Sequence, residues 1–341
     1  MITIPGVDPW MMWAGFILLV LIMLVIDLGV FNRKDHVIGL RESLTWTAIW
    51  ITVAMCFNTW LYFQFGGQIA LEFFTGYVIE KSLSMDNLFV FLMIFTSFNI
   101  PRLYQHRILF WGIVGAIIMR GLFIWIGSEL VSRFDWIFFI FGGILIWSAW
   151  RMQFEKEKKF DPKKHLAVRI AKKIFPVTNK KKGHNFFIVE HGKRFATVFF
   201  VALITIELTD VVFAVDSIPA IFAITQDPFI VFTSNIFAIL GLRALYFALA
   251  SLHAMFAYLK TGLAIILGFV GSKMILLAGL HIHVPTIVSL TVIISVLAIS
   301  MIASVIHARH IPSEHMLKHD DGHVRVHLTK KKAKEYPKRK K

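Results

Sequence analysis

Apolar residues fill this chain in about nine stretches, each near the length an α-helix needs to cross a bilayer: 10–31, 43–65, 70–98, 107–128, 134–151, 196–224, 229–251, 259–279 and 284–307. Backbone groups in lipid must be satisfied within the segment itself, so these stretches read as helices. The expected fold class is all-α, a polytopic membrane protein of about nine transmembrane helices. Composition agrees, with 57% hydrophobic and 17% charged residues and a mean hydropathy of +0.69. The spans 70–98 and 196–224 exceed a straight crossing and must tilt, bend or break. No basic region precedes the first apolar run and no small-residue cleavage site follows it, so 10–31 reads as a retained helix rather than a signal peptide.

A net charge of +15 would suggest nucleic acid as the partner of a soluble protein. Here Lys and Arg gather in a few loops and the tail with no aromatic-basic module, so nucleic-acid binding is not expected. Arg33, Lys34 and Arg41 follow the first span, Arg102 and Arg107 the third, a large basic loop the fifth, Lys260 the seventh and the Lys-rich tail the ninth. Arg133 aside, the intervening loops carry little positive charge, which places the N-terminus outside and the C-terminus in the cytoplasm. The one cysteine, Cys56, rules out a disulfide framework or a CxxC redox motif.

One acidic stretch occurs twice, as Ile79-Glu80-Lys81-Ser82-Leu83-Ser84-Met85-Asp86-Asn87 and as Ile206 to Ser217, where Glu80 matches Asp210 and Asp86 matches Asp216. One span later, Met119-Arg120-Gly121 resembles Leu242-Arg243-Ala244, and one span later again Trp147 to Met152 resembles Val270 to Met274. Spans three to five thus recur as spans six to eight, and an odd repeat length gives the copies opposite orientations, an inverted three-helix repeat. The expected organisation is two N-terminal helices (1–66), the first repeat (67–152), a basic cytoplasmic loop (153–195), the inverted second repeat (196–280), a ninth helix (281–308) and a basic His- and Lys-rich tail (309–341).

An ionisable side chain at membrane depth is costly and faces a pathway, an ion or a partner charge. Residues six apart on a helix differ by about 240° in direction, so Glu80 and Asp86 cannot line one face. Either they flank a cavity from two sides or the helix unwinds between them, and Pro219 favours unwinding near Val215 and Asp216 in the second copy. Glu80, Asp86, Asn87, Asp210, Asp216 and Ser217 form an all-oxygen donor set that suits Mn²⁺, Ca²⁺ or Mg²⁺ rather than Zn²⁺ or Cu⁺. Glu207, on the face of Asp210, is a second-rank ligand, and Arg120 and Arg243 are second-rank groups that position the carboxylates or repel a returning cation. Clustered carboxylates in low dielectric need cations or protons to coexist, which suggests exchange of a divalent metal ion for protons. A static network in which the two arginines neutralise two acids is the competing reading.

Three further features carry less. Asp27, near the end of the first span, reads as an interfacial or capping residue, and Lys81 as snorkelling or pairing locally. In the central loop, Leu166, Ile170 and Ile174 alternate with lysines and arginines, either as an amphipathic helix on anionic lipid or as a solvated linker, and 186–195 reads as a small hairpin. His315, His319, His323 and His327 recur every four residues in a tail whose Gly322 and surrounding charge read as solvated.

The E-K-S-L-x-x-D-N stretch at Glu80, paired with E-L-x-D-x-x-F-A-V-D-S-I-P-A from Glu207 and followed by Thr233-Ser234-Asn235 and Gly241-Leu242-Arg243, resembles the TerC family of bacterial membrane proteins, most closely its Alx-type members. The resemblance covers roughly residues 10–307. It implies a helical inner-membrane protein of the LysE-like transporter grouping that exports Mn²⁺, with acids matching Glu80, Asp86, Asp210 and Asp216 handling the metal. The family name derives from tellurium resistance, but clustered carboxylates are poor hosts for an anion. A Ca²⁺/H⁺ exchanger, or a non-transporting factor for assembly or metal loading of exported proteins, are the alternatives. No nucleophile–base pair, P-loop or cofactor motif occurs, which argues against an enzyme, and no cofactor beyond the transported ion is expected.

Overall fold

The computed structural model describes residues 4, 8–31, 39–154, 168–169, 176–178, 185–190, 193–252 and 258–310. Ten helices and one hairpin make up these residues: α1 (Pro9–Phe31), α2 (Leu40–Phe65), α3 (Gly67–Ser97), α4 (Arg102–Arg133), α5 (Ile137–Phe154), β1 (Phe187–Glu190), β2 (Lys193–Ala196), α6 (Val198–Phe222), α7 (Pro228–Ile239), α8 (Leu242–Leu252), α9 (Leu259–Leu280) and α10 (Thr286–His310). Seven helices are long and apolar enough to cross a membrane, and the bent pair α7–α8 makes an eighth span. The thirty-one residues of α3 are also long enough, but Glu72, Glu80, Lys81 and Asp86 lower its apolarity. It is held inside the bundle, where Glu80, Lys81 and Asn87 are all buried. The hairpin pairs Phe187 with Ala196 and Glu190 with Lys193, as the sequence suggested. The His-bearing tail and all but Val168 and Arg169 of the amphipathic segment lie outside the described residues.

Helices of this kind are apolar on all sides, so their packing is set by where small residues let backbones approach. The largest contact joins α5 to α9. There Gly142 and Gly271 face each other so closely that a Cβ on either would stand within 2.9 Å of the other's carbonyl oxygen. The helices run antiparallel, with Phe139 near Gly279 and Ala149 near Gly268. The next two contacts are reciprocal: α3 lies along α7, where Gly76 meets Ser234, and α4 lies along α6, where Gly112 meets Ile206. Buried hydroxyls turn back on their own helix, as when Thr75 Oγ1 donates to Leu71 O at 2.7 Å and Thr205 Oγ1 to Val201 O at 2.7 Å.

The unwinding that Pro219 favours near Val215 and Asp216 is absent. Helix α3 is continuous through Glu80 and Asp86, and α6 is continuous through Asp210, Asp216 and Pro219 to Phe222. Pro219 withholds a helical donor from Val215 O, but it sits three residues before the end of α6, so little helix lies beyond it to be displaced. The break falls instead between α7 and α8, which meet at 41° across Leu240 and Gly241. Gly241 has φ +117°, a region closed to most side chains, and a Cβ there would approach Trp50 Cβ to 2.8 Å. Helix α7 starts firmly: Asp227 Oδ1 accepts from the backbone N–H groups of Phe229 (2.9 Å) and Ile230 (3.3 Å), with Pro228 in the first position. Every residue of α7 from Phe229 to Ile239 is buried, so this broken helix is the centre of the bundle.

Candidate functional site

The centre of the molecule is a guanidinium held between two carboxylates from different helices. Arg120 projects from the middle of α4 and is fully buried, as is Glu80 on α3, and Asp210 on α6 is 5% exposed. Arg120 Nη1 bonds Glu80 Oε1 in a close ion pair. Nη2 reaches Asp210 Oδ1 at 3.1 Å and Nε reaches Asp210 Oδ2 at 3.3 Å, a two-pronged grip that only arginine can make. Nη1 also donates to Asn235 Oδ1 at 2.9 Å and, at 3.4 Å, to Ser217 Oγ. Asn235 closes the ring by donating through Nδ2 to Glu80 Oε2 at 3.3 Å, and Ser84 Oγ donates to Glu80 Oε1 at 3.3 Å. Four helices therefore meet at one cation: α3, α4, α6 and α7.

Of the residues singled out in the sequence, the structure brings Glu80, Asp210, Ser217 and Arg120 together. It does not bring in the other two acids. Asp86, 240° around α3 from Glu80, is half-buried and makes no bond to Arg120, and neighbouring Asn87 is buried outside the cluster. Asp216 accepts from Ser148 Oγ of α5 at 2.5 Å, on a side of α6 away from the cluster. Among the described residues no three acidic, histidine or cysteine side chains converge as a ready-made metal cage. Glu207 is half-buried one turn before Asp210, and its carboxylate lies over Gly115 of α4, the glycine leaving it room. It makes no hydrogen bond or ion pair among the described residues.

Arg243 does not join the acids. Its Nη2 pairs with Asp27 Oδ1 at 2.7 Å and donates to Asp27 O at 2.9 Å, fastening α8 to α1. Asp27 is thus a buried structural partner, 7% exposed, rather than an interfacial cap. Lys81 neither snorkels nor pairs with a neighbour in sequence. Its Nζ donates at 3.1 Å to Ala238 O at the broken end of α7, where the interruption leaves a carbonyl without its helical donor. A cation there also suits the negative end of the helix dipole.

Asn235 and Ser84 are the residues that residue-type reasoning left out of the site. Asn235 stands in the Thr233-Ser234-Asn235 stretch that carries the family resemblance, which was the available signal. Ser84 lies four residues after Glu80, one turn along the same helix, and that spacing was its signal. Chemically, the centre offers two carboxylates, an amide oxygen and a hydroxyl around one fixed cation. The guanidinium fills the space that a cation bound to both carboxylates would take.

The fold and this centre define an integral membrane protein with a buried charge cluster where four helices meet. The sequence profile of the integral membrane protein TerC family matches residues 65–310, so the chain belongs to the TerC family. It is 47% identical over 311 residues to an uncharacterized membrane protein, STKORF319, of Myxococcus xanthus, covering 91% of this chain and 97% of that one. It is 42% identical over 310 residues to Alx of Escherichia coli K12, provisionally described as a membrane-bound redox modulator, covering 88% and 96% of the two chains. An uncharacterized membrane protein of Rickettsia bellii is 42% identical over 296 residues, covering 87% and 97%. No solved structure matches the chain.

Proposed function

We propose that the chain is a secondary transporter of the bacterial inner membrane that exports Mn²⁺ from the cytoplasm through the Glu80–Asp210 centre in exchange for protons, with its N-terminus outside. The observation that carries this reading is that Glu80 and Asp210, from separate helices and both buried, oppose each other across a single buried arginine. Two carboxylates and one guanidinium leave one negative charge over, which a proton or a share of a divalent ion balances. Occupation by Arg120 and occupation by metal are alternatives, so Arg120 acts as a tethered stand-in for the ion. When metal arrives, the guanidinium gives way to it. When protons arrive on the acids, the metal loses its ligands and the arginine returns. Glu207, beside Asp210 and without an ion-pair partner among the described residues, is the proton carrier in this scheme.

The reciprocal packing of α3 on α7 and of α4 on α6, with α5 on α9, is the pattern that an inverted repeat about an axis in the membrane plane produces, and it supports alternating access around a central site. The name given to the Alx relatives points to redox chemistry. A chain with one cysteine has no dithiol to cycle, so a redox role here would pass through the metal that is moved. The deciding experiment measures intracellular manganese under Mn²⁺ stress in cells making the wild-type protein, Glu80→Gln or Asp210→Asn. Wild type should lower manganese severalfold and both variants should fail to. Equal manganese in all strains sinks the export reading and leaves the assembly or metal-loading factor.

A further inference from the structure

At the end of the bundle where α3 begins and α6 and α9 end lies a cavity of about 520 Å³. Its wall is polar for a membrane protein. Gln68 Nε2 donates to Glu72 Oε1 at 2.9 Å and to Thr286 Oγ1 at 3.4 Å, while Lys273, 7% exposed, donates to Ser289 Oγ at 3.0 Å from the far side. Glu72 is the one carboxylate among the lining residues. Its inner lining includes Phe222, on the last turn of α6. That ring is 2% exposed, stacks on Phe141 of α5 at 6.4 Å, and lies against Gly127 of α4, where a Cβ would stand 2.7 Å from the ring edge. Five residues earlier on the same helix is Ser217, a partner of Arg120, and six earlier is Asp216.

We infer that this cavity is a water-filled vestibule for a hydrated divalent cation on the extracytoplasmic side, and that Phe222 is the plug that closes it from the Arg120 centre. The inference rests on the transport reading and adds to it the outer route and its gate. At ~30 Å³ per water, a cavity of this size holds about 17 waters, enough for a metal ion that keeps its first shell. Glu72 draws a cation in, and Lys273 opposite keeps it from being held, as a passage site requires. An aromatic ring in a narrow neck stops a hydrated ion because the neck does not wet. Gly127 is the feature that lets the ring sit there: without a Cβ, α4 leaves the ring its slot.

Thiol labelling tests this without depending on export. In the full-length Cys56→Ala protein in membranes, Thr225→Cys lines the cavity and Ser217→Cys lies behind the plug. A membrane-impermeant cationic methanethiosulfonate should modify Thr225→Cys from the extracytoplasmic face only, and Ser217→Cys at least tenfold more slowly. Adding Phe222→Ala should raise the Ser217→Cys rate at least tenfold. Gly127→Ala, which pushes the ring from the α4 side, serves the same purpose should Phe222→Ala not reach the membrane. The cationic reagent should outpace its anionic counterpart at Thr225→Cys severalfold, with Glu72→Gln removing that preference. An unreactive Thr225→Cys, labelling from the cytoplasmic face, a Ser217→Cys rate indifferent to the plug, or faster reaction with the anionic reagent would each overturn the proposal. Failure of the manganese measurement with success of the labelling would instead retire Mn²⁺ as the solute and keep the gated vestibule.

Discussion

Arg120 holds more of this bundle together than either acid it binds, because it alone touches residues of three other helices. Removing it leaves Glu80 and Asp210 opposed in low dielectric. Arg120→Met should therefore cost about 3–5 kcal/mol, read as a lower unfolding temperature in detergent, whereas the triple variant Glu80→Gln/Arg120→Met/Asp210→Asn should regain most of that loss. Arg120→Lys should rescue little, since one ammonium cannot replace the forked grip on Asp210 while reaching Asn235. A second expectation concerns Glu207. Gly115→Ala should cost about 1–3 kcal/mol by driving a methyl into its carboxylate, and Glu207→Ala in the same chain should remove most of that penalty, as a double-mutant cycle of unfolding temperatures would report. At this scale the sequence showed which acids to suspect but not which would meet. Glu80 and Asp210 meet because α3 and α6 turn those faces towards α4, while Asp86 and Asp216, each about 240° further round, face elsewhere. Asn235 carried no charge to flag it, and its role needs α7 laid along α3.

At the scale of elements, the decisive joint is the break between α7 and α8. It gives the two halves different attachments, Asn235 to the central cluster and Arg243 to α1. Gly241→Ala should be poorly tolerated, because it combines a forbidden φ with a Cβ 2.8 Å from Trp50, and folded yield by size-exclusion chromatography is the readout. Lys81→Met should lower stability by about 1–3 kcal/mol by leaving Ala238 O unsatisfied in a dry site, with Lys81→Arg milder. Pro219 drew attention to the wrong helix. A proline near a helix end deprives one carbonyl of a donor, whereas the glycine at positive φ in mid-span bends the span by 41°. The hairpin between Phe187 and Ala196 was legible because in the sequence His191-Gly192 interrupts two short runs of strand-forming residues.

At the scale of the molecule, the spans were legible almost to their ends because lipid demands long apolar helices, but their partnering was not, since apolar faces resemble one another and the selecting contacts lie at single glycines. Gly271→Leu should split the α5–α9 contact, where the obstacle would be the backbone of Gly142, and abolish monodisperse protein. Gly143→Leu, one residue from that crossing but facing open space, should leave it intact. The family profile begins at residue 65, which makes α1 and α2 look like a detachable prefix. The pairing of Asp27 with Arg243 argues otherwise, because a protein trimmed to the matched region would carry a buried guanidinium deprived of its carboxylate. It also orders biogenesis: Asp27 leaves the ribosome 216 residues ahead of its arginine, so the first helix enters the membrane with a charge whose neutralising partner has yet to be synthesised.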